Sequence, residues 1–457
     1  MIQHYLPLLP ELLVVAGGVL ALVRNRLPGQ LVVLTPVLVG VIALAAFVLE
    51  LWLGAQLVTW ARGAYTQDRF ALFGKAAMLA ALLVVLIASR WNPDGREEAL
   101  PMAFGATLGG MVLVSATTTP LLWLALTGAL AAGGAASLRA PDQRPTQAVL
   151  GASVVLSGLG LLLVSLQGHA WTFTSLQSAV PHDPVSVPVG VFTMVAVTGL
   201  LAPLALLPLR SREPDEGDPM QSAVLAGPVA GAAVLASTKV LATVFAAGVV
   251  WGPYTAALGA LGALACGLGA LASGSLRGLA GWLIGGQAAW LVAGLALHAQ
   301  MGTAAALLLC GALLLAAPAV PLLVADLRGP RSVATGLGRR SPLLGVALSV
   351  GLLSLVAMPP LAGFFGSFAV ALELLRGRLA WALALALLGS ALGLWAVLRL
   401  LLLVWLTGET EPRREPLPPT WAASAFVLAA VVLLYGVFAY PIGTLAQQGA
   451  RALGLFY

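Results

Sequence analysis

The chain has 457 residues, of which 60% are hydrophobic and only 9% are charged, and its formal net charge is +6. Soluble globular domains carry roughly 25% charged residues, so this composition excludes a soluble domain and indicates a protein with many membrane spans. The basic residues lie in loops without a basic cluster and interleaved aromatics, so we expect no nucleic-acid partner.

Continuous apolar runs, rich in Leu and Ala, predict about fourteen transmembrane helices in an all-α, polytopic membrane protein. They exclude a transmembrane β-barrel, whose strands alternate apolar and polar residues. We treat residues 1–457 as a single membrane domain. In chain order, the predicted spans are 6–23, 31–54, 70–89, 99–117, 119–137, 146–167, 187–208, 222–250, 253–273, 278–298, 301–325, 342–375, 379–406 and 420–446.

The placement of arginines supports this number of spans, because successive loops lie on opposite sides of the membrane. Loops that follow odd-numbered spans contain fifteen arginines, whereas loops that follow the even-numbered spans up to the twelfth contain four. Because basic residues are enriched in cytoplasmic loops, the arginine-rich side is predicted to be cytoplasmic. Both termini are then expected on the outer side of the membrane.

Two predicted spans contain prolines that interrupt a helix. The run 342–375 would be about 50 Å long as one helix, against an apolar core of about 30 Å, and it has Pro359 and Pro360 in its middle. The seventh span has Pro203 near its end. Two broken helices, five spans apart, indicate inverted repeats of a transport fold, which we place at 99–250 and 253–406. The alternative is that the prolines are ordinary kinks.

Lys239, in the stretch VLASTKVLATVF, is one of two lysines in the chain. It lies about 17 residues into the predicted eighth span, which places it near the membrane midplane. A charged side chain at that depth costs roughly 2.5–3.5 kcal/mol on insertion scales, so it must pair, reach water or lose its proton. We interpret Lys239 as a candidate proton relay; structural pairing and snorkelling are the alternatives.

Other ionisable groups lie nearer the predicted span ends. Lys75 is close to Asp68 at the start of the third span, and we expect it to be an interfacial anchor. Glu11, Glu50 and Glu373 are also expected at the membrane interface, and Arg399 near the cytoplasmic end of the thirteenth span can snorkel.

The sequence contains no motif of a soluble enzyme. It lacks a P-loop, a Rossmann glycine pattern, a GxSxG motif and an HExxH motif, and its cysteines and histidines show no metal-ligand spacing. We therefore expect no catalytic residue and no bound metal, nicotinamide, flavin or iron–sulfur cluster in this chain.

Several segments together resemble the antiporter-like membrane subunits of respiratory complex I, specifically subunit N of bacterial NADH–quinone oxidoreductase. They are LPLLPELLVVAGGVLALV at the amino terminus, DRFALFGKAAMLAALLVVLIAS (68–89), REEALPMAFGATLGGMVLVSA (96–116), ASTKVLATVF (236–245), GLGRRSPLLGVALSVGLLSLVAMPPLAGFFGSF (336–368) and LLYGVFAYPIGTLAQQGARAL (433–453). The resemblance covers nearly the whole chain. It implies fourteen helices, broken helices 7 and 12, and a location in the bacterial inner membrane.

The resemblance also implies a polar axis along which protons move, but this sequence has only part of it. The eighth-helix lysine of the family matches Lys239. The glutamate of the fifth helix would fall near Thr127 or Gly128, the lysine of the seventh near Pro203, and the lysine of the twelfth at Ser367. The lost positions predict that the subunit's own proton channel is degraded.

The resemblance implies that the chain is a non-catalytic membrane-arm subunit that takes part in proton translocation or supports it structurally. Its expected partners are the lipid bilayer and other membrane-arm subunits, with NADH, flavin, iron–sulfur clusters and quinone bound elsewhere in the complex. A subunit of a multi-subunit cation/proton antiporter or of a membrane-bound hydrogenase is the alternative, because these proteins share the fold.

Overall fold

The computed structural model describes residues 6–54, 58–89, 93–135, 144–179, 187–209, 219–244, 248–297, 299–324, 327, 330–406 and 419–454. Within these ranges the regular structure consists of helices and one short hairpin, and three isolated β-bridges lie in the connections. The helices are α1 Leu9–Val23, α2 Gly29–Leu53, α3 Arg69–Ala88, α4 Pro93–Ser115, α5 Thr119–Gly134, α6 Arg144–Gln167, α7 Phe173–Ala179, α8 Val187–Leu209, α9 Pro219–Val224, α10 Ala230–Thr243, α11 Gly248–Ala272, α12 Leu276–Leu295, α13 Gln300–Ala316, α14 Ala319–Leu323, α15 Leu337–Arg340, α16 Pro342–Leu355, α17 Ala362–Arg376, α18 Ala380–Trp405, α19 Pro419–Val437 and α20 Ala439–Ala452.

The helices form the expected all-α membrane bundle. Among the described residues, ten helices are long and apolar enough to cross a membrane, and eleven if the bent pair α19 and α20 counts as one span. The shorter apolar helices α4, α5 and α16 lie where the fourth, fifth and twelfth spans were expected. The multi-span fold is therefore confirmed, and the count of fourteen stays a prediction.

The centre of the bundle is the eighth predicted span. A π-helical turn, Leu225–Val229, joins α9 to α10, and every residue from Ala223 to Thr243 in this span is buried. By contrast, most of α2 and α18 faces outward and exposes Leu, Val and Trp side chains, as expected of a surface in contact with lipid or other subunits. Lys239 therefore belongs to the innermost helix of the bundle.

The twelfth span is broken as predicted, whereas the seventh is not. The helix α16 ends at Leu355 and α17 begins at Ala362, with Pro359 and Pro360 between them. The backbone N–H of Gly363 donates to the Ser354 hydroxyl (3.2 Å) across this break. The predicted break at Pro203 is wrong, because α8 continues through it as one helix. A proline removes only one N–H donor, so a helix can continue past it with a kink.

A bend that the sequence does not predict also divides the last predicted span. The helices α19 and α20 meet at an angle of 71° around Phe438. In the two predicted repeats, α4 packs against α5 and α10, and α11 packs against α12 and α18. These neighbours do not test the repeat boundaries at 99–250 and 253–406, which stay a prediction.

Candidate functional site

Both lysines lie at one end of the bundle, which we call the hairpin face. Here α2 ends, α3 begins, and the antiparallel strands β1 (Val58–Trp60) and β2 (Tyr65–Gln67) connect them. Asp68 caps α3 by accepting a hydrogen bond from the backbone N–H of Ala71 (2.7 Å), a favoured role for Asp at a helix start. The N–H of Thr117 donates to the carbonyl of Ala64 (3.0 Å) and ties the hairpin to the end of α4.

Lys75 is fully buried, with 0% of its surface exposed, and contacts polar side chains of α1 and β2. Its ammonium forms an ion pair with Glu11 of α1. It also donates to the Tyr65 hydroxyl (3.0 Å) and to Oε1 of Gln67 (2.5 Å), both in β2. The three N–H donors of the ammonium thus have three acceptors.

A second carboxylate joins the same network. Nε2 of Gln67 donates to Oε1 of Glu50 in α2 (2.7 Å), and the Tyr65 hydroxyl donates to Oε1 of Glu11 (2.5 Å). Glu50 is 1% exposed and Glu11 is 7% exposed. We call these five residues, Glu11, Glu50, Tyr65, Gln67 and Lys75, the Lys75 cluster.

The structure corrects the expected surroundings of these charges. An interfacial anchor would extend its charged group into water, whereas Lys75, Glu11 and Glu50 are buried among protein groups. The strand β2 causes this difference, because the hairpin covers the charges at the end of the bundle. Sequence reasoning missed Tyr65 and Gln67. The available signal was two opposite charges, Glu11 and Lys75, near the same ends of α1 and α3.

Tyr65 lies outside the membrane-spanning helices, and its environment keeps the phenol protonated. Burial is the main cause that raises the pKa of Tyr65 far above its ordinary value, and the charge of Glu11 raises this pKa further. The protonated phenol is therefore a permanent hydrogen-bond donor to Glu11.

Lys239 lies on the innermost helix, α10, beside the end of α4. It lies four residues before the end of α10 at Thr243, and its expected place near the membrane midplane stays a prediction. Its ammonium donates to the backbone carbonyl of Val114 at the end of α4 (2.7 Å). The same nitrogen lies 5.6 Å from the ring centre of Phe70 and 5.7 Å from that of Phe173, distances suited to cation–π attraction.

The charged groups that interact electrostatically with Lys239 are Asp68 and Lys75. Asp68 uses one carboxylate oxygen to cap α3. The hydrogen bond of Lys239 goes instead to a neutral backbone carbonyl. No described residue of α5, where the family's glutamate was expected, is acidic.

The other expected family positions supply no ionisable partner. The Thr127 hydroxyl donates to the carbonyl of Trp123 in its own helix (2.8 Å), and Gly128 is exposed. Pro203 lies inside α8. Ser367 is buried in α17, and its hydroxyl has no hydrogen-bond partner. None of these positions of the predicted axis therefore carries an ionisable side chain.

The remaining charged candidates lie outside this region. Glu373 forms an ion pair with the exposed Arg376 (2.5 Å) at the end of α17, and Arg399 is exposed on α18. In the described parts of the chain, no three His, Cys, Asp or Glu side chains lie close enough together to hold a metal ion. The chemistry available at the hairpin face is proton binding and charge pairing.

Comparison with known proteins agrees with the all-α membrane fold. Residues 146–393 match the family described as NADH:quinone oxidoreductase/Mrp antiporter, transmembrane. The chain is 32% identical to NADH-quinone oxidoreductase subunit N of Cereibacter sphaeroides, over 94% of this chain and 96% of that protein. Its fold is similar to a chain of respiratory complex I from Thermus thermophilus (TM-score 0.77, 23% identity, 94% and 97% covered). It is also similar to a chain of the Mrp complex from Dietzia sp. (TM-score 0.80, 18% identity, 99% and 98% covered).

The family match covers more than half of the chain, and the identity to the Cereibacter protein extends over nearly its whole length. The chain belongs to the NADH:quinone oxidoreductase/Mrp antiporter membrane family.

Proposed function

We propose that this chain is an N-type membrane-arm subunit of a complex I-type NADH–quinone oxidoreductase, and that it supports proton translocation coupled to electron transfer in other subunits. The main support is the 32% identity to an NADH-quinone oxidoreductase subunit N over 94% of this chain. The Mrp complex shares the fold at 18% identity, so a multi-subunit antiporter remains the alternative assembly, as does a membrane-bound hydrogenase.

The proposal places the redox chemistry in partner subunits. NADH, flavin, iron–sulfur clusters and quinone would bind there, and this chain would contribute no catalytic residue. It would lie in a bacterial inner membrane with other membrane-arm subunits around it. The arginine asymmetry supports an orientation in which the hairpin face and both termini are periplasmic.

We further propose that the subunit does not conduct protons along the axis used by its family. The observation that carries this proposal is the hydrogen bond of Lys239 to the Val114 carbonyl. A relay lysine exchanges its proton with a titratable neighbour, and the pKa values of such a pair depend on each other. A backbone carbonyl cannot take up a proton at neutral pH, and Ser367 and Thr127 do not ionise there either.

The test is Lys239→Ala in the assembled complex, reconstituted into sealed vesicles. We expect normal assembly and an unchanged number of protons moved per electron. Gly128→Ala is the matched control, because its new methyl group enters open space. A marked fall in the proton-to-electron ratio with Lys239→Ala, but not with the control, would contradict the proposal.

The identity of the assembly has its own test. The intact complex is purified through a tag on this chain, and its subunits are identified by mass spectrometry. Subunits that carry flavin and iron–sulfur clusters are expected. Co-purification of only membrane subunits would contradict the complex I assignment and favour the antiporter.

A further inference from the structure

The Lys75 cluster contains more acid than base. Glu11 and Glu50 are both buried, and Lys75 is the ammonium that contacts the cluster. If both carboxylates were ionised, a surplus negative charge would be buried among protein groups. Such a charge costs several kcal/mol in a low-dielectric interior, and a group in this situation takes up a proton instead.

Hydrogen bonding identifies Glu50 as the carboxylate without a cation. The ammonium of Lys75 uses its donors on Glu11, Tyr65 and Gln67. Glu50 meets the ammonium only through the Gln67 amide, whose Oε1 accepts from Lys75 and whose Nε2 donates to Glu50. The opposite amide orientation would place NH₂ against the ammonium and a carbonyl against the carboxylate, so this bridge has one favourable direction.

Each carboxylate also has one oxygen without a hydrogen-bond partner. These atoms are Oε2 of Glu11 and Oε2 of Glu50, and both are buried. An ionised carboxylate has room for about four hydrogen bonds, and leaving a buried charged oxygen unpaired carries the full desolvation cost of that atom. A proton on Glu50 removes the charge and with it most of this cost.

We propose that the Lys75 cluster is a proton-binding site at the hairpin face, in which Glu50 takes up and releases the proton. The step is the addition of one proton to the Glu50 carboxylate, which changes the cluster from a net charge of −1 to 0. The ligand is a proton alone, because the Lys75 ammonium already pairs with Glu11 and the Gln67 amide lies between this ammonium and Glu50.

The titratable groups around Glu50 come from the packed elements α1, α2, α3 and β2. They are Glu11, Lys75 and Tyr65, with Asp68 and the exposed Arg69 at the start of α3. Residues 99–115 of α4 contribute no ionisable side chain. Lys239 of α10 interacts electrostatically with Lys75 and Asp68, so proton uptake at the cluster changes the field at the chain's other lysine.

The test measures protonated carboxyl groups directly, by infrared spectroscopy of the full chain in lipid nanodiscs. The carboxylic acid C=O band is recorded near neutral pH for the natural chain and for variants. We expect a protonated carboxyl in the natural chain and its loss in Glu50→Gln. Glu373→Gln is the control, because Glu373 has its own ion pair with Arg376, and it should keep the band.

Two further variants test the charge balance rather than Glu50 alone. In Glu11→Gln, Lys75 has only Glu50 to balance it, so Glu50 should ionise and the band should disappear. In Lys75→Met, two carboxylates remain without an ammonium, so the band should grow. If Lys75→Met does not fold, the two Glu→Gln variants still decide the question, because they keep the shape of the side chains.

Several outcomes would overturn the proposal. They are a band that persists in Glu50→Gln, a band that is absent from the natural chain, and a band that sodium ions remove at constant pH, which would indicate a cation site. Because the experiment uses this chain alone, its outcome does not depend on which complex the chain joins. Co-purification of a different set of subunits would contradict the proposed function, but it would not change the expected protonation of Glu50.

Discussion

Lys239 and Val114 are joined by a hydrogen bond of 2.7 Å from the lysine ammonium to the valine carbonyl. The two residues lie at the ends of α10 and α4 that meet at the hairpin face. This contact gives the ammonium a neutral partner, whereas the second lysine of the chain, Lys75, has an ion pair with Glu11. The contrast between the two lysines predicts opposite effects of the same substitution.

Replacing Lys239 with Met should leave the stability unchanged or raise it. Lys239 is 6% exposed, and the desolvation of its ammonium is offset by one carbonyl and two aromatic rings rather than by a carboxylate. Met has a similar length without the charge, and replacing buried charges by apolar groups is often neutral or stabilising by about 1–4 kcal/mol. Thermal unfolding of the full chain in detergent measures this effect. A loss of more than about 2 kcal/mol, which is in the range for a broken charge network, would contradict it.

Replacing Lys75 with Met should lower the stability by about 3–5 kcal/mol, because it leaves Glu11 buried without its cation. The double variant E11Q/K75M removes both charges and should recover most of this loss. The same unfolding assay, applied to E11Q, K75M and the double variant, gives the coupling energy of the pair. Additive effects of the two single substitutions would mean that the ion pair does not contribute.

The raised pKa of Tyr65 predicts that the stability of the folded chain decreases at alkaline pH. Burial and the charge of Glu11 raise the pKa of Tyr65 in the folded chain, whereas an unfolded Tyr has a pKa of about 10. Above about pH 10 the unfolded chain therefore binds fewer protons than the folded chain, and stability falls as pH rises. Below that pH this contribution is fully present.

The variant Tyr65→Phe should remove this part of the alkaline loss. We expect the unfolding temperature of the natural chain to fall more steeply above about pH 10 than that of Tyr65→Phe. Parallel curves for the two proteins would show that Tyr65 titrates in the folded chain as it does in the unfolded chain.

Two glycines in the first predicted repeat should respond differently to a side chain. At Gly199 in α8, a Cβ would overlap the backbone of Ser157 in α6, so the two helices would have to separate. Gly199→Val should therefore destabilise the chain by about 1–3 kcal/mol or more, as overpacking does. At Gly128 a Cβ meets nothing within 4 Å, and Gly128→Ala should be neutral or stabilise by about 0.5–1 kcal/mol. The unfolding temperatures of the two variants check these expectations. Equal changes in unfolding temperature for Gly199→Val and Gly128→Ala would contradict close packing at Gly199.

The sequence by itself determined the class of fold and the family. Long apolar runs can satisfy their backbone groups in lipid only as helices, so composition and run length were enough to predict the all-α bundle. Pro359 and Pro360 predicted the break in the twelfth span, because the run around them is too long for one crossing. The same reasoning was wrong at Pro203, where the chain has no excess length and α8 continues.

Only the tertiary structure decided what surrounds the charged groups. Run length predicts Lys239 near the midplane, but its contacts with the Val114 carbonyl and the rings of Phe70 and Phe173 depend on which helices pack beside α10. Glu11, Glu50 and Lys75 are far apart in the chain, and each alone fits a place at the membrane surface. They form a buried network because β2 folds over the end of the bundle and supplies Tyr65 and Gln67. A charge's partner is set by distance in space, and no local pattern in the sequence records that distance.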